Sequence, residues 1–122
     1  PTIMAVGAAI GIMGLEIPLV EFVIALSGVV LGILIAVRGR APLAIAMVLV
    51  GIFGIFHGYA HSLEMPEQIS AITYGAGFVI GTGLLHMAGI GLGFATRLPR
   101  GELLVRGCGG VISVIGLTYL VG

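Results

Sequence analysis

Charge in this chain of 122 residues is confined to a few short linkers and the first turns beside them, and the intervals between are long and apolar. A helix that crosses a bilayer needs about 20 such residues in a row. Only 8 % of the residues are charged, where a soluble domain carries about 25 %. Five arginines and five glutamates cannot cover the large relative surface of a small soluble domain. The apolar content excludes a disordered chain. A formal net charge of zero excludes the basic footprint of a nucleic-acid binder. One cysteine excludes an internal disulfide. The sequence therefore demands lipid as its main solvent.

The charges and prolines divide a single transmembrane domain, residues 1–122, into five predicted helices at 2–15, 19–37, 43–63, 69–96 and 103–121. The fold class is all-α, a polytopic membrane helix bundle. The first segment is short. At 1.5 Å per residue it spans about 21 Å against a hydrocarbon core of about 30 Å. It reads as the remainder of a helix begun upstream of Pro1, and no signal peptide is visible.

The linkers give an orientation. Arg38 and Arg40 lie between the second and third helices, and Arg97 and Arg100 between the fourth and fifth, with Arg106 just beyond. All five share one face and read as topology anchors. The remaining linkers carry Glu16, Glu64 and Glu67 but no basic residue, and Glu21 lies one turn inside the second helix. The positive-inside rule makes the arginine face cytoplasmic and places these acids outside.

Glycine is the second anomaly, at 22 residues. Gly7/Gly11, Gly28/Gly32, Gly54/Gly58, Gly77/Gly81 and Gly89/Gly93 are spaced four apart. Small residues at this spacing let helix backbones approach closely in lipid. A lesser reading of Gly58 and Gly83 is room for a ligand beside a histidine. Cys108, among glycines, reads as a small packing residue.

Ionisable groups at membrane depth are costly and point to function. On a helix at about 100° per residue, His57, His61 and Glu64 share a stripe about 60° wide. Two imidazoles one turn apart and a carboxylate one turn further can close on a divalent ion, and that donor set suits Ni, Co, Cu or Zn. Hydrogen bonding to neighbouring helices is the plainer use of such histidines. The zinc-protease pattern is excluded, because Gly58 stands where a glutamate is required. Glu21 and Glu16 would form a cation-attracting vestibule with Glu64. Met65 reads as apolar cover. His86 lies in the fourth helix, and helix rise puts it about 17 Å from the depth of His57. That gap makes it a second station along a path, unless the helix starts later or is unwound. It also counts against a haem held by two histidines. No serine–histidine–acid order or phosphate loop is present, so an enzyme is not expected.

These residues resemble a known family. Phe56-His57-Gly58-Tyr59-Ala60-His61-Ser62-Leu63-Glu64-Met65-Pro66 resembles the signature of the HupE/UreJ family, the hydrogenase and urease accessory membrane proteins. Gly81-Thr82-Gly83-Leu84-Leu85-His86 is similar to that family's next conserved element, and Glu21 to Arg40 is similar in character. The resemblance extends over essentially the whole chain. It implies uptake of nickel, in some contexts cobalt, with His57, His61, Glu64 and His86 as metal-handling residues. It also implies a complete chain of six helices, with a further His/Asp motif in a helix ahead of those present.

The combined expectation is passive or facilitated inward permeation of Ni²⁺ or Co²⁺. The outer acids concentrate the ion, His57, His61 and Glu64 capture it, and His86 passes it on. The expected partners are the lipid bilayer, the metal ion and a homo-oligomer or larger membrane complex, with no nucleic acid and no permanently bound cofactor. Two rivals stand beside it: a small structural subunit of a larger membrane complex with no transport role, and a membrane-bound metallochaperone.

Overall fold

The computed structural model describes residues 1–122. The apolar runs form five helices and no strand: α1 (Thr2–Ile12), α2 (Val20–Ala36), α3 (Leu43–Leu63), α4 (Ala71–Ala95) and α5 (Gly101–Val121). By length and composition α3, α4 and α5 are long and apolar enough to cross a membrane. α1 and α2 are shorter, at 11 and 17 residues. The rise of α2 gives about 25 Å, near the lower limit for a crossing.

Backbone chemistry sets the helix ends inside the apolar runs. α1 stops at Ile12 rather than Leu15 because Gly14 adopts φ 75°. The Gly14 amide then donates to the Gly11 carbonyl at 2.9 Å, and the Leu15 amide to Ile10 at 3.3 Å. This pair of reversed bonds satisfies carbonyls that the helix leaves orphaned. α2 closes in the same way with a non-glycine at the left-handed position, Arg38 at φ 55°. There the Gly39 amide donates to Leu34 at 2.8 Å. α4 starts at Ala71 rather than Ile69 because Ser70 caps it, its Oγ accepting from the Thr73 amide at 3.2 Å. α5 starts at Gly101, two residues before the apolar run, with Glu102 in its first turn where an acid suits the helix dipole.

The interior is inverted relative to a soluble protein. The buried residues are glycines, Ala25, Ser27, Ser62, Thr82 and Tyr59. No Val, Leu, Ile, Phe or Met is buried, and residues such as Leu43 and Ile72 lie largely exposed. Lipid tails are as apolar as leucine, so burying leucine gains little there, and close backbone approach becomes the source of cohesion. The buried hydroxyls are satisfied: Ser27 Oγ donates to the Ile24 carbonyl at 2.6 Å and Ser62 Oγ to Tyr59 at 2.6 Å.

Two helix pairs carry the packing, and neither is adjacent in sequence: α1 with α3, and α2 with α5. At the first crossing a Cβ on Gly7 would collide with the Ile55 carbonyl, and one on Gly58 with the Met4 carbonyl. Gly58 is thus consumed by packing rather than by a ligand. At the second, a Cβ on Gly109 would lie 2.8 Å from the Ala36 nitrogen, and one on Gly116 2.8 Å from the Val29 nitrogen. Ser113 Oγ donates across the same seam to the Val29 carbonyl at 3.1 Å. The expectation of glycine packing fails in α4. Gly77, Gly81, Gly83, Gly89 and Gly93 have nothing within 4 Å of where a Cβ would stand. No Cα of α4 lies within 8 Å of one in α2 or α3, and its backbone meets α1 and α5 only sparsely.

Candidate functional site

The stripe on the last turns of α3 exists, and its members face different neighbours. The His57 and His61 rings stand edge-on, with centroids 5.3 Å apart and planes at 62°. His61 Nδ1 lies 3.5 Å from Glu64 Oε2. His57 and Glu64 line a cleft of about 1260 Å³ between α2, α3 and α5, and Glu21 and Tyr119 line it too. Its deep end reaches Ser27, Gly28 and Gly116, where α2 and α5 close together. Three carboxylate- or imidazole-bearing side chains from two helices therefore open on one space. Glu16, in the 13–19 linker, does not line it.

His61 faces the other way. Its ring meets Phe78 of α4, centroids 5.3 Å apart, and its carbonyl accepts from the Tyr74 hydroxyl at 2.7 Å. The histidine pair thus straddles α3, one ring toward the cleft and one toward α4. No three His, Cys, Asp or Glu side chains converge closely enough to hold a metal ion as they stand. The Glu64 side chain is 73 % exposed, which leaves it free to swing toward either imidazole.

His86 is not part of this cluster. Its Nδ1 sits 2.6 Å from the Thr82 carbonyl one turn earlier in α4. A carbonyl only accepts, so the proton belongs on Nδ1 and Nε2 keeps a free lone pair. The start of α4 at Ala71 rather than Ile69 lowers the helix-rise gap between the depths of His57 and His86 from about 17 Å to about 14 Å.

The arginines gather at the opposite end. Arg38 pairs with Glu102 at 3.1 Å, Arg106 lies 3.8 Å from the same oxygen, and Arg106 Nε donates to the Ala36 carbonyl at 2.7 Å. These contacts join the 37–42 linker to the start of α5. Arg97 stacks over Phe94 at 4.9 Å. Arg40 and Arg100 are exposed in their linkers, Arg100 with φ 66°.

The family model described as HupE / UreJ protein matches residues 1–119. The chain belongs to the HupE/UreJ family. It is 39 % identical over 120 residues to Protein HupE of Rhizobium leguminosarum bv. viciae. That match takes in 98 % of this chain and 63 % of the relative, so the chain spans less than two thirds of the relative's length. No solved structure matches the chain. Family membership and the three long apolar helices together make this a membrane protein.

Sequence reasoning overlooked the tyrosines as builders of this candidate site. Tyr59 is buried, and its hydroxyl accepts from the Ile17 amide at 3.2 Å, tying the 13–19 linker to α3 beside His57. Tyr74 reaches His61, and Tyr119 lines the cleft. The signal was present: a phenol in an apolar chain must find a partner for its hydroxyl.

Proposed function

We propose that this chain is the site-bearing part of a permease or uptake accessory for a divalent transition metal, with Ni²⁺ or Co²⁺ as cargo. The reading rests on one observation above others: Glu21, His57 and Glu64 open on a single cleft at the end of the bundle opposite the arginines. Family membership supports the same reading. By the positive-inside rule the arginine end is cytoplasmic, and the cleft faces outward from a bacterial inner membrane.

The chemistry follows from the donors. Acids at the mouth raise the local cation concentration. A hydrated divalent ion exchanges water for His57 first, because that ring already faces the cleft. Glu64 swings in, and His61 completes an N/O donor set. The free Nε2 of His86 is the next station inward. No phosphate loop is present, so flux follows the metal gradient or a coupling partner. Catalysis is no part of this scheme, and no permanently bound cofactor is required.

Nickel uptake by cells carrying His57→Ala or His61→Ala tests it. Strong loss of accumulation is expected, with His86→Ala slowing uptake. Wild-type accumulation in both of the first two variants would discard the reading. A structural subunit of a larger membrane complex, or a second copy of this chain, is the second reading. The uncovered glycines of α4 favour it. Fixed-stoichiometry co-purification together with unimpaired uptake in the histidine variants selects it.

A further inference from the structure

α4 keeps its backbone away from α3, yet two of its side chains cross the gap and both reach one residue. Tyr74 donates its hydroxyl proton to the His61 carbonyl at 2.7 Å, and Phe78 sets its ring against the His61 imidazole at 5.3 Å and 61°. The two lie one turn apart on α4. We propose that Tyr74 and Phe78 are positioning residues that hold His61 in register with His57 for capture of the divalent cation. The inference rests on the transport reading above and names what orients its second imidazole.

The physical need is plain. The His61 side chain is 38 % exposed and sits at the last turn of α3, where carbonyls lack intrahelical partners. The His61 carbonyl already accepts from the Glu64 amide at 3.3 Å, and the Tyr74 hydroxyl is its second donor, which ties that turn to α4. The imidazole stands between two rings, Phe78 on the α4 side and His57 on the other, each 5.3 Å away. One ring nitrogen, Nδ1, stands 3.5 Å from Glu64 Oε2. Outside partners that orient a ligand in this way change metal affinity by about 10- to 100-fold when removed. The far side of both aromatics lines an open hollow of about 330 Å³ with Ile69, Thr73 and Gly77. Trimming either ring therefore leaves the glycine crossings untouched.

The test measures initial Ni²⁺ uptake against concentration for the full chain in liposomes holding a metal-sensitive dye. Phe78→Leu is expected to raise the half-saturating concentration about tenfold while the maximal rate stays within about twofold, since an affinity loss is what a misplaced ligand produces. Phe78→Tyr, which keeps a ring, is expected to restore the wild-type value. Tyr74→Phe is expected to give a smaller rise. Co²⁺ absorption of the loaded protein should lose intensity in Phe78→Leu and recover in Phe78→Tyr, a change a purely structural role would not produce. Wild-type half-saturation in both Phe78→Leu and Tyr74→Phe, alongside lost uptake in His61→Ala, overturns the positioning role and leaves the transport reading intact. Wild-type uptake in His61→Ala with uptake lost in His57→Ala overturns the positioning role alone, and wild-type uptake in both histidine variants overturns both. Should Phe78→Leu fail to fold, Tyr74→Phe decides by the same measure.

Discussion

At the α1–α3 and α2–α5 crossings glycine is a contact surface, whereas along α4 it faces open space. The spacing is the same in both regions. Gly7, Gly28 and Gly32 meet a partner backbone and Gly11 meets the Ser62 and Tyr59 side chains, whereas Gly77/Gly81 and Gly89/Gly93 meet nothing. Small residues four apart permit close approach but do not supply the partner. What supplies it at the crossings is a matched surface: Ser62 and Tyr59 opposite Gly11, and Ser113 and Gly109 opposite Gly32. α4 is tethered instead by a short hairpin to α5 and by two aromatic side chains to His61. The helix that bears His86 is thus the one least committed to the packed pairs.

The contrast is easily put at risk. The largest effect is expected from leucine at a crossing. Gly58→Leu or Gly116→Leu forces two backbones apart and should cost about 3 kcal/mol or prevent folding, as gross overpacking does. Gly81→Leu in α4 should stay within about 0.5 kcal/mol. Thermal unfolding in detergent micelles compares them, and equal losses would erase the distinction between the regions. Alanine gives a finer cut with opposite signs. Gly7→Ala should destabilise by about 1–3 kcal/mol through its clash with the Ile55 carbonyl. Gly91→Ala should stabilise by up to about 1 kcal/mol, because an unobstructed helical glycine gains propensity on becoming alanine.

Polar ties inside the packed pairs rank next. Tyr59→Phe removes a partly buried bond to the Ile17 amide and should cost about 1 kcal/mol. The same variant should loosen the 13–19 linker, read as faster amide exchange at Ile17. The smallest effect belongs to the arginine end. Glu102→Gln breaks an exposed pair with Arg38, worth less than about 1 kcal/mol and weaker still in high salt. A larger loss would mean that this end, not the glycine seams, locks α2 to α5.

Much of the site was legible because lipid makes polar residues scarce. With three histidines and five glutamates in the chain, the His57, His61 and Glu64 stripe stood out against an apolar ground. Helical periodicity then placed them on one face. The same arithmetic could not tell that His57 looks toward α2 and α5 while His61 looks toward α4. That split depends on which helices flank α3, and periodicity carries no partner information. The depth gap of His86 came out somewhat large for a related reason. Hydropathy marks where an apolar run begins, but the Ser70 cap sets where α4 starts.

Composition and charge placement by themselves determined an all-helical membrane chain, the ends at which arginines and acids gather, and the short list of residues able to bind a cation. Those properties follow from the cost of charge and unpaired backbone in hydrocarbon, which acts on each residue locally. Only the tertiary structure decided that α1 pairs with α3 and α2 with α5, that α4 stands apart, and that Glu21 shares a cleft with His57. In lipid these choices depend on the fit of one helix surface to another, a property of two segments together that neither sequence segment carries alone.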